Sequence, residues 1–269
     1  MKLAWATDIH LNFLDDLERR QFLEPINAQA DALVVTGDIA ESNSVREALR
    51  QIGDVLDMPV YFVLGNHDFY RGSVSRTRAD VAEMIRGSGN LVYLSQAGVV
   101  ELTRDTALIG HDGWADGRLG NLDGSEVILN DFLLIDELRH WRNHYTLDKS
   151  ALRRMLENLG DEAAAYLKSA LVPAAGRYPQ VIVATHVPPF REAAWHEGRS
   201  SADDYLPFFA CKAVGDVLLE AARSSPDCHI LVLCGHTHGG GEVQVRENLR
   251  VLTGPAEYGR PKIERVLSV

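Results

Sequence analysis

The stretch VLCGHTHGGGEV (232–243) places two histidines, His236 and His238, where an apolar run gives way to glycines. A turn of solvated polar residues would explain the pair, but two imidazoles on one extended segment could also bind two neighbouring metal ions. A second pair with the same spacing, Asp8 and His10, follows the apolar run LAWAT. Residues two apart on a strand share a face and lie about 6.5 to 7 Å apart, so both could reach one ion.

Three further apolar runs end in residues that can bind metal ions. The first ends at Asp38 behind Gly37, where a missing side chain allows a tight turn or a close backbone approach. The next ends at Asn66 and His67, and the last ends at His186. A carboxylate has two oxygens, so Asp38 could bridge two cations. First-row divalent ions favour such a mixed shell of nitrogen and oxygen ligands.

Each of these residues has an ordinary structural explanation when it is taken singly. A histidine near a strand end is more often a packed structural residue than a ligand, and Gly-Asp is a common turn. Their joint placement favours a site, because five successive segment ends carry ligand-type residues and five of the ten histidines fall there. We therefore predict one cluster of carboxylates, an amide and imidazoles.

The segments that end in these residues are typical of buried strands, which read as short apolar runs between turn signals. They cover residues 2–10, 31–38, 59–68, 180–188 and 229–238. Helical patterns lie between them at 12–29 with a kink at Pro25, 42–57, 75–86, 149–171 with a break near Gly160, and 203–223 with an interruption at Pro207. Strands that alternate with helices predict βαβ units, whose sheets bind ligands beyond the carboxyl ends of the strands.

A second set of strands is shorter and more closely spaced, which is typical of antiparallel hairpins. It covers residues 91–94, 98–102, 106–110, 242–245, 249–254 and 265–269. The predicted fold class is α/β, with two packed sheets, helices outside and a single domain over residues 1–269. Residues 111–146 are long for a loop, and we expect a substrate-facing insertion there because long loops in compact domains are often binding elements.

Aromatic and charged residues near these segment ends could also clamp or stack on a substrate, although packing and solvation explain such residues equally well. These weaker candidates are Tyr70, Arg71, His111, Trp114 and Arg118. The other histidines do not continue the series of strand ends. We interpret them as surface or helix residues (His140, His144 and His196) and as a structural residue at a strand start (His229).

Composition limits the classes of function. A formal net charge of −11 argues against a protein that binds a nucleic-acid duplex, because that affinity needs Lys and Arg against phosphates. Three cysteines are too few and too oddly spaced for a disulfide framework or a thiolate zinc site. No apolar stretch approaches the roughly 18 to 20 residues of a membrane span, and Asp8 lies where a signal peptide needs an apolar core. We expect a soluble, cytoplasmic protein.

As an ordered set, the motifs DIH, GDIAE, GNHD, THVP and GHTH resemble the signature of the calcineurin-like metallophosphoesterases over residues 8–238. The resemblance implies a two-sheet αββα sandwich with a dinuclear metal centre at the strand ends. It also implies that Asp8, His10 and His238 hold the first ion, that Asp38 bridges, and that Asn66, His186 and His236 complete the second.

The same resemblance implies that His67 contacts the substrate and protonates or stabilises the leaving group, and that Asp68 orients His67. Imidazole-rich ligands without thiolates suit two divalent Mn, Fe or Zn ions. A water that bridges two such ions loses a proton near neutral pH and attacks phosphorus in line. The expected activity is hydrolysis of a small-molecule or nucleotide phosphodiester.

Two alternatives remain open from the sequence. A phosphomonoesterase acting on small molecules or proteins would use the same centre, although GDIAES and GNHD lack the Arg and Glu found in some protein phosphatases of the family. A non-catalytic scaffold of the same fold is disfavoured, because all seven predicted ligand positions hold residues able to bind metal. The oligomeric state is not predicted.

Overall fold

The computed structural model describes residues 1–139, 142–143 and 146–269. His140 and His144 lie outside the described residues. The strands, in chain order, are β1 (Lys2–Ala6), β2 (Ala32–Thr36), β3 (Val60–Val63), β4 (Leu91–Tyr93), β5 (Val100–Thr103), β6 (Thr106–His111), β7 (Arg142–Asn143), β8 (Thr146–Leu147), β9 (Gln180–Thr185), β10 (Trp195–His196), β11 (Arg199–Ser200), β12 (His229–Cys234), β13 (Gly241–Arg246), β14 (Leu249–Thr253) and β15 (Arg265–Ser268).

The α-helices, in the same order, are α1 (Asp16–Leu23), α2 (Val45–Val55), α3 (Val74–Ile85), α4 (Leu94–Ala97), α5 (Asp131–Leu134), α6 (Asp136–Arg139), α7 (Lys149–Ala175), α8 (Leu206–Phe209) and α9 (Lys212–Ser224). Four short 3-10 helices add Leu11–Phe13, Glu24–Ala28, His67–Phe69 and Arg191–Ala193. No helix in the described part of the chain combines the length and apolar character needed to cross a bilayer.

Two large sheets carry the fold. The first has the order β15-β1-β2-β3-β4, and the second has the order β13-β14-β12-β9-β6-β5. Strands β1 to β4 run parallel, as do β14, β12, β9 and β6, while β15, β13 and β5 join their neighbours antiparallel. Each sheet therefore places the carboxyl ends of its central parallel strands at one edge.

The alternation of side chains along the strands builds three apolar layers. Leu3 and Trp5 of β1 pack with Ile182 and Leu233 of the second sheet in a core between the two sheets. The outer face of the first sheet packs against α1, α2 and α3. The outer face of the second sheet packs against α7 and α9. The layers confirm the predicted αββα sandwich.

Four details differ from the sequence-based expectations. Strand β15 pairs antiparallel with β1, from the other end of the chain, instead of forming a hairpin with a neighbouring strand. Strand β4 pairs parallel with β3 instead of forming a hairpin, because α3 carries the chain back before β4 begins. Helix α7 runs through Gly160 without a break, and a side chain at that position would collide with Asp116. Gly160 thus permits close packing and does not end the helix. The predicted helix over 203–223 is interrupted, but the break lies at Ala210 and Cys211, while Pro207 lies in the first turn of α8, where its missing N–H needs no partner.

Candidate active site

The predicted ligands follow the strand ends β1, β2, β3, β9 and β12, which the two sheets bring together at one edge. We call Asp8, His10 and His238 the first group and Asn66, His186 and His236 the second group. Asp38 lies between the two groups and faces both. Residues separated by up to 228 positions in the chain are in hydrogen-bonding distance here. The structure therefore gathers all seven residues.

In the first group, the His10 Nε2 atom lies 3.3 Å from His238 Nε2 and 3.8 Å from Asp38 Oδ2. His238 Nε2 lies 3.5 Å from Asp8 Oδ1. One ligand atom from each of Asp8, His10, Asp38 and His238 falls within 4.8 Å of all the others, which is close enough to share one metal ion.

In the second group, the Asn66 Oδ1 atom lies 3.0 Å from His186 Nε2 and 2.9 Å from His236 Nδ1. His186 Nε2 also lies 3.3 Å from Asp38 Oδ1. The two oxygens of Asp38 thus face different groups, Oδ2 toward His10 and Oδ1 toward His186. A carboxylate in this position can bridge two ions.

Hydrogen bonds on the outer side of the second group determine which atoms face inward. A carbonyl oxygen only accepts, so the Nδ1–H of His186 donates to Thr36 O at 2.9 Å, and the Nε2–H of His236 donates to Phe208 O at 2.9 Å. Whenever these rings are neutral, each therefore directs an unprotonated nitrogen at Asn66 Oδ1. Metal-binding histidines are held in this way by a bond from the other ring N–H.

Hydrogen bonds also orient the amide of Asn66. Its Nδ2 donates to the Asp131 carboxylate at 2.9 Å and to the Tyr70 hydroxyl at 3.2 Å, which leaves Oδ1 on the inner side. When both rings are neutral, lone pairs of an amide oxygen, two imidazoles and a carboxylate converge there. A cation fits this donor set, because lone pairs that face each other repel unless positive charge lies between them.

Electrostatics within the protein favour positive charge at the same place. Without an ion, burial opposes protonation of His186, but the carboxylates of Asp38 and Asp8 outweigh it and raise its pKa to about 10, so that a proton occupies the place that a cation would take. Burial also raises the pKa of Asp8 to about 7, opposed by attraction to His186 and reinforced by repulsion from Asp38. Burial and the neighbouring His186 hold the pKa of His236 at about 3.

Two polar atoms near the first group have no hydrogen-bond partner among the described residues. The Nδ1 atom of His10 and the Oδ2 atom of Asp38 are both buried and unpaired. A buried polar group without a partner costs about 1 to 3 kcal/mol. Asp38 Oδ2 faces His10 Nε2, so an ion in the first group would satisfy that oxygen.

The backbone at the site has an unusual conformation. Seven non-glycine residues in the described part of the chain have positive φ, and five are predicted ligands: Asp8, His10, Asp38, His236 and His238. Such conformations cost about 1 to 3 kcal/mol each and persist where the surrounding structure enforces them, often at functional sites. The turns that aim these side chains are therefore imposed by the fold.

Two glycines allow the strand ends to approach closely. Gly37 has a φ of 91°, and a side chain there would collide with the His186 ring. A side chain at Gly65 would collide with Asp38 and the same ring. The close approach predicted for Gly37 is confirmed, and Gly65 has the same role.

His67 lies at the edge of the centre, and Asp68 lies behind it. The His67 Nε2 atom is 3.9 Å from Asp38 Oδ2, and its ring stacks on Tyr70 with centroids 4.2 Å apart. The buried Asp68 carboxylate accepts hydrogen bonds from the backbone of Ala40 and Gly65 at 2.7 and 2.8 Å. No hydrogen bond joins Asp68 to the His67 ring among the described residues. Asp68 thus holds the two loops that carry Asp38 and Asn66.

A cleft of about 240 Å³ opens onto both groups. Its walls include the rings of Tyr70, His196, Phe209 and Tyr258 and the carboxyl of Asp131. Sequence reasoning missed Asp131 and Tyr258, which lie in turn-rich segments without a strand-end signal, and it interpreted His196 as a surface residue. His196 is exposed but borders the cleft.

The weaker candidates lie mostly outside this cleft. Arg71 pairs with Glu41 at 2.6 Å, and Arg118 pairs with Asp116 and Asp161 at 3.0 and 2.8 Å. Trp114 is buried against Phe69, and His111 is buried at the end of β6. Tyr70 borders the cleft, but its hydroxyl donates to Asp131. His229 begins β12, as predicted.

Solved structures with the same fold were found by comparison. Phosphopantetheinyl hydrolase from Mycobacterium tuberculosis is 15% identical, with a TM-score of 0.67 over 94% of this chain and 89% of that chain. A dimetal phosphatase from Danio rerio is 17% identical, with a TM-score of 0.57 over 94% of this chain and 86% of that chain. At this identity the likeness shows the fold alone. A comparison with curated proteins found no match.

The sequence profile of one family, described as calcineurin-like phosphoesterase, matches residues 1–240, which is most of the chain. The matched region contains all seven predicted ligands and both groups of the site. The resemblance inferred from the strand-end motifs is therefore confirmed. The chain belongs to the calcineurin-like phosphoesterase family and is a metal-dependent phosphoesterase.

Proposed function

We propose that this protein hydrolyses a small-molecule or nucleotide phosphodiester with two divalent ions, one in each group, bridged by Asp38. The observation that carries the proposal is the convergence of lone pairs from two groups on a shared carboxylate. Asp8, His10 and His238 hold the first ion, and Asn66, His186 and His236 hold the second. Manganese, iron and zinc suit this donor set.

Two bound divalent ions neutralise phosphate charge and lower the pKa of water to about 7, which supplies a nucleophile at neutral pH. The residues of the chain position these ions and orient their ligands. The seven ligands fix both positions, and the outer hydrogen bonds to Thr36 O and Phe208 O keep the imidazoles in the required tautomer. The low exposure of the ligands strengthens every electrostatic interaction within the site.

His67 protonates the departing oxygen in this proposal. It is partly exposed, borders the cleft, and is held by stacking on Tyr70 and by the charge of Asp38 rather than by Asp68. A positioned general acid of this kind contributes about 10²- to 10⁴-fold in rate. Asp68 supports the loops on which His67 and the ligands lie.

The charge of the cleft favours a diester over a monoester. None of the residues that line it in the described part of the chain is Lys or Arg, and the acidic residue Asp131 is among them. A phosphodiester carries one negative charge, whereas a monoester carries about 1.5 to 2 near pH 7 because its second pKa is about 6. The second charge would have no protein cation nearby.

The test strips the protein with EDTA, restores Mn²⁺, and compares bis-p-nitrophenyl phosphate with p-nitrophenyl phosphate. We expect about two ions per chain by elemental analysis and a higher kcat/KM for the diester. A clear preference for the monoester would replace the proposal with a phosphomonoesterase. A folded protein that takes up no Mn, Fe or Zn would instead be a scaffold.

A further inference from the structure

We propose that Tyr258 and Phe13 form a subsite for a flat, uncharged group on the leaving alcohol of the substrate. This inference rests on the proposed function, and it specifies the substrate class. Both rings are unusually open for large aromatic side chains, with 48% of Tyr258 and 54% of Phe13 exposed. Their ring centroids lie 4.9 Å apart, so they form one continuous apolar surface, which we call the aromatic shelf.

The aromatic shelf is attached to the centre. The Tyr258 ring lies 4.6 Å from the His10 ring and 5.0 Å from the His238 ring, and Tyr258 borders the cleft. The loop that carries it is anchored, since the Ala256 N–H donates to His238 O at 3.2 Å. A substrate bound at the first group would therefore extend over this surface.

The position of His67 assigns the aromatic shelf to the leaving side. The His67 ring lies 6.0 Å from Tyr258 and 4.7 Å from His10. If His67 protonates the departing oxygen, the carbon group bonded to that oxygen lies beside His67 and reaches Tyr258 next. The retained group of the diester then lies on the other side of the cleft, toward His196 and Phe209.

Charge determines what kind of group fits. The guanidinium nearest in sequence, Arg260, pairs with Glu257 at 3.1 Å and lines a neighbouring groove instead of the cleft. No Lys or Arg lines the cleft in the described part of the chain, so a leaving group with its own phosphate or carboxylate would gain no protein cation within it. Two open rings favour a planar, uncharged partner, since aromatic pairs gain about 0.5 to 1.5 kcal/mol beyond area burial. Tyr258 also lies beyond residues 1–240, so membership of the family does not specify it.

The experiment uses methyl benzyl phosphate and methyl ethyl phosphate, whose larger alcohols differ in shape but little in acidity. Each is titrated as a competitive inhibitor of bis-p-nitrophenyl phosphate hydrolysis by the Mn²⁺-loaded protein. We expect the benzyl ester to bind about 3- to 10-fold more tightly to the wild type. Y258A should lose that preference, and Y258F, which keeps the ring, should retain it.

Two failures are distinguishable. If the wild type does not hydrolyse bis-p-nitrophenyl phosphate, the proposed function falls and the subsite falls with it. If the wild type is active but binds both esters equally, or if Y258A keeps the preference, only the subsite is overturned. Loss of the preference in Y258F would assign the effect to the hydroxyl and would also overturn a role for the ring.

A second, independent observation points to Asp131 as a positioning residue for Asn66. Asp131 is buried at the start of α5, outside the strand-end motifs, and its Oδ1 accepts from Asn66 Nδ2 at 2.9 Å and from Tyr70 at 2.7 Å. Without this acceptor, the amide could rotate by half a turn and donate to the unprotonated nitrogens of His186 and His236. That rotation would remove the oxygen ligand from the second group.

The test measures bound Mn²⁺ in D131A, D131N and the double variant N66D/D131A. We expect D131A to fall from about two ions to about one, and D131N to keep two because its carbonyl oxygen still accepts. The double variant should regain the second ion, since a carboxylate presents an oxygen in either orientation. Two ions in D131A, or a folded double variant that stays at one, would overturn the role.

Discussion

The two groups of the site differ in how their ligand atoms are held. In the second group, each ligand has an outer hydrogen bond: Thr36 O behind His186, Phe208 O behind His236, and Asp131 behind Asn66. In the first group, the Nδ1 atom of His10 is buried without a partner among the residues that the structure describes. The second group is thus organised by the protein alone, whereas the first depends on a bound ion for part of its order.

Asp38 connects the two groups, and replacing it has the largest expected effect. Asp38→Asn removes the charge that faces both His10 and His186, so we expect the loss of both ions and a fall in kcat of at least about 10³-fold. Elemental analysis and steady-state kinetics measure the two losses. Asp105→Asn, which changes an exposed carboxylate far from the site, is the matched control. Retention of two ions in Asp38→Asn would contradict the bridging role.

Replacing His67 should slow the chemical step and leave metal binding intact. His67→Ala leaves both groups in place, so we expect two bound ions and a loss of about 10²- to 10⁴-fold in kcat, the usual contribution of a general acid. The loss should be smaller for a p-nitrophenyl leaving group, which departs without protonation, than for an alkyl alcohol. Full activity of His67→Ala on an alkyl ester would refute the assignment.

Asp112 supports the second group from behind, and the first group has no counterpart of it among the described residues. Its backbone oxygen accepts from His186 N–H at 3.0 Å, and its carboxylate accepts from Leu64 N–H, Tyr93 and Arg78 at 2.8, 2.6 and 2.8 Å. Asp112→Asn leaves the Arg78 guanidinium without its buried partner. We expect a loss of about 3 kcal/mol in the free energy of unfolding at pH 7, measured with urea.

The pH dependence of this loss has a definite sign. Burial alone would raise the pKa of Asp112, but Arg78, His111 and the hydrogen bonds outweigh burial and lower it below the usual range. A carboxyl with a lowered pKa stabilises the fold above its unfolded pKa of about 3.9 and loses that contribution as the pH falls further. The difference in unfolding free energy between wild type and Asp112→Asn should therefore stay constant from pH 7 to 5 and decrease below about pH 4. If this difference stays constant over the whole pH range, the charge of Asp112 does not cause it.

The smallest expected effect is on the stability of the EDTA-treated protein, and it tests directly whether the two groups differ in organisation. His236→Leu leaves Phe208 O without its donor, so we expect a loss of about 1 to 3 kcal/mol in unfolding free energy. His10→Leu removes a buried nitrogen that has no partner in the described part of the chain, so the stability of this variant should be unchanged or higher. Equal losses in both variants would mean that the two groups do not differ in organisation.

The sequence predicted the site residues through local signals. Apolar runs of strand length end in Asp, Asn or His, and a parallel sheet brings such ends to one edge, so the gathering of Asp8, Asp38 and His186 follows from pattern and topology. Gly37 also predicted a close approach, since only a residue without a side chain can lie that near to His186.

Other features had no local signal. Asp131, His196 and Tyr258 reach the cleft from segments whose composition reads as loop or surface, and the partners of Asp68 proved to be backbone groups of Ala40 and Gly65. The parallel pairing of β4 depended on the path of the chain through α3, because a short strand pattern alone does not specify its neighbour.

By itself, the sequence determined the αββα class, the order of the strand-end motifs and the types of ligand atoms, because these depend on residue identity and on the period of the apolar pattern. Only the tertiary structure decided which nitrogen of His186 and His236 faces inward, which way the Asn66 amide points, and which rings border the centre. Those choices depend on hydrogen-bond partners and packing contacts from residues distant in the chain, and no local pattern records them.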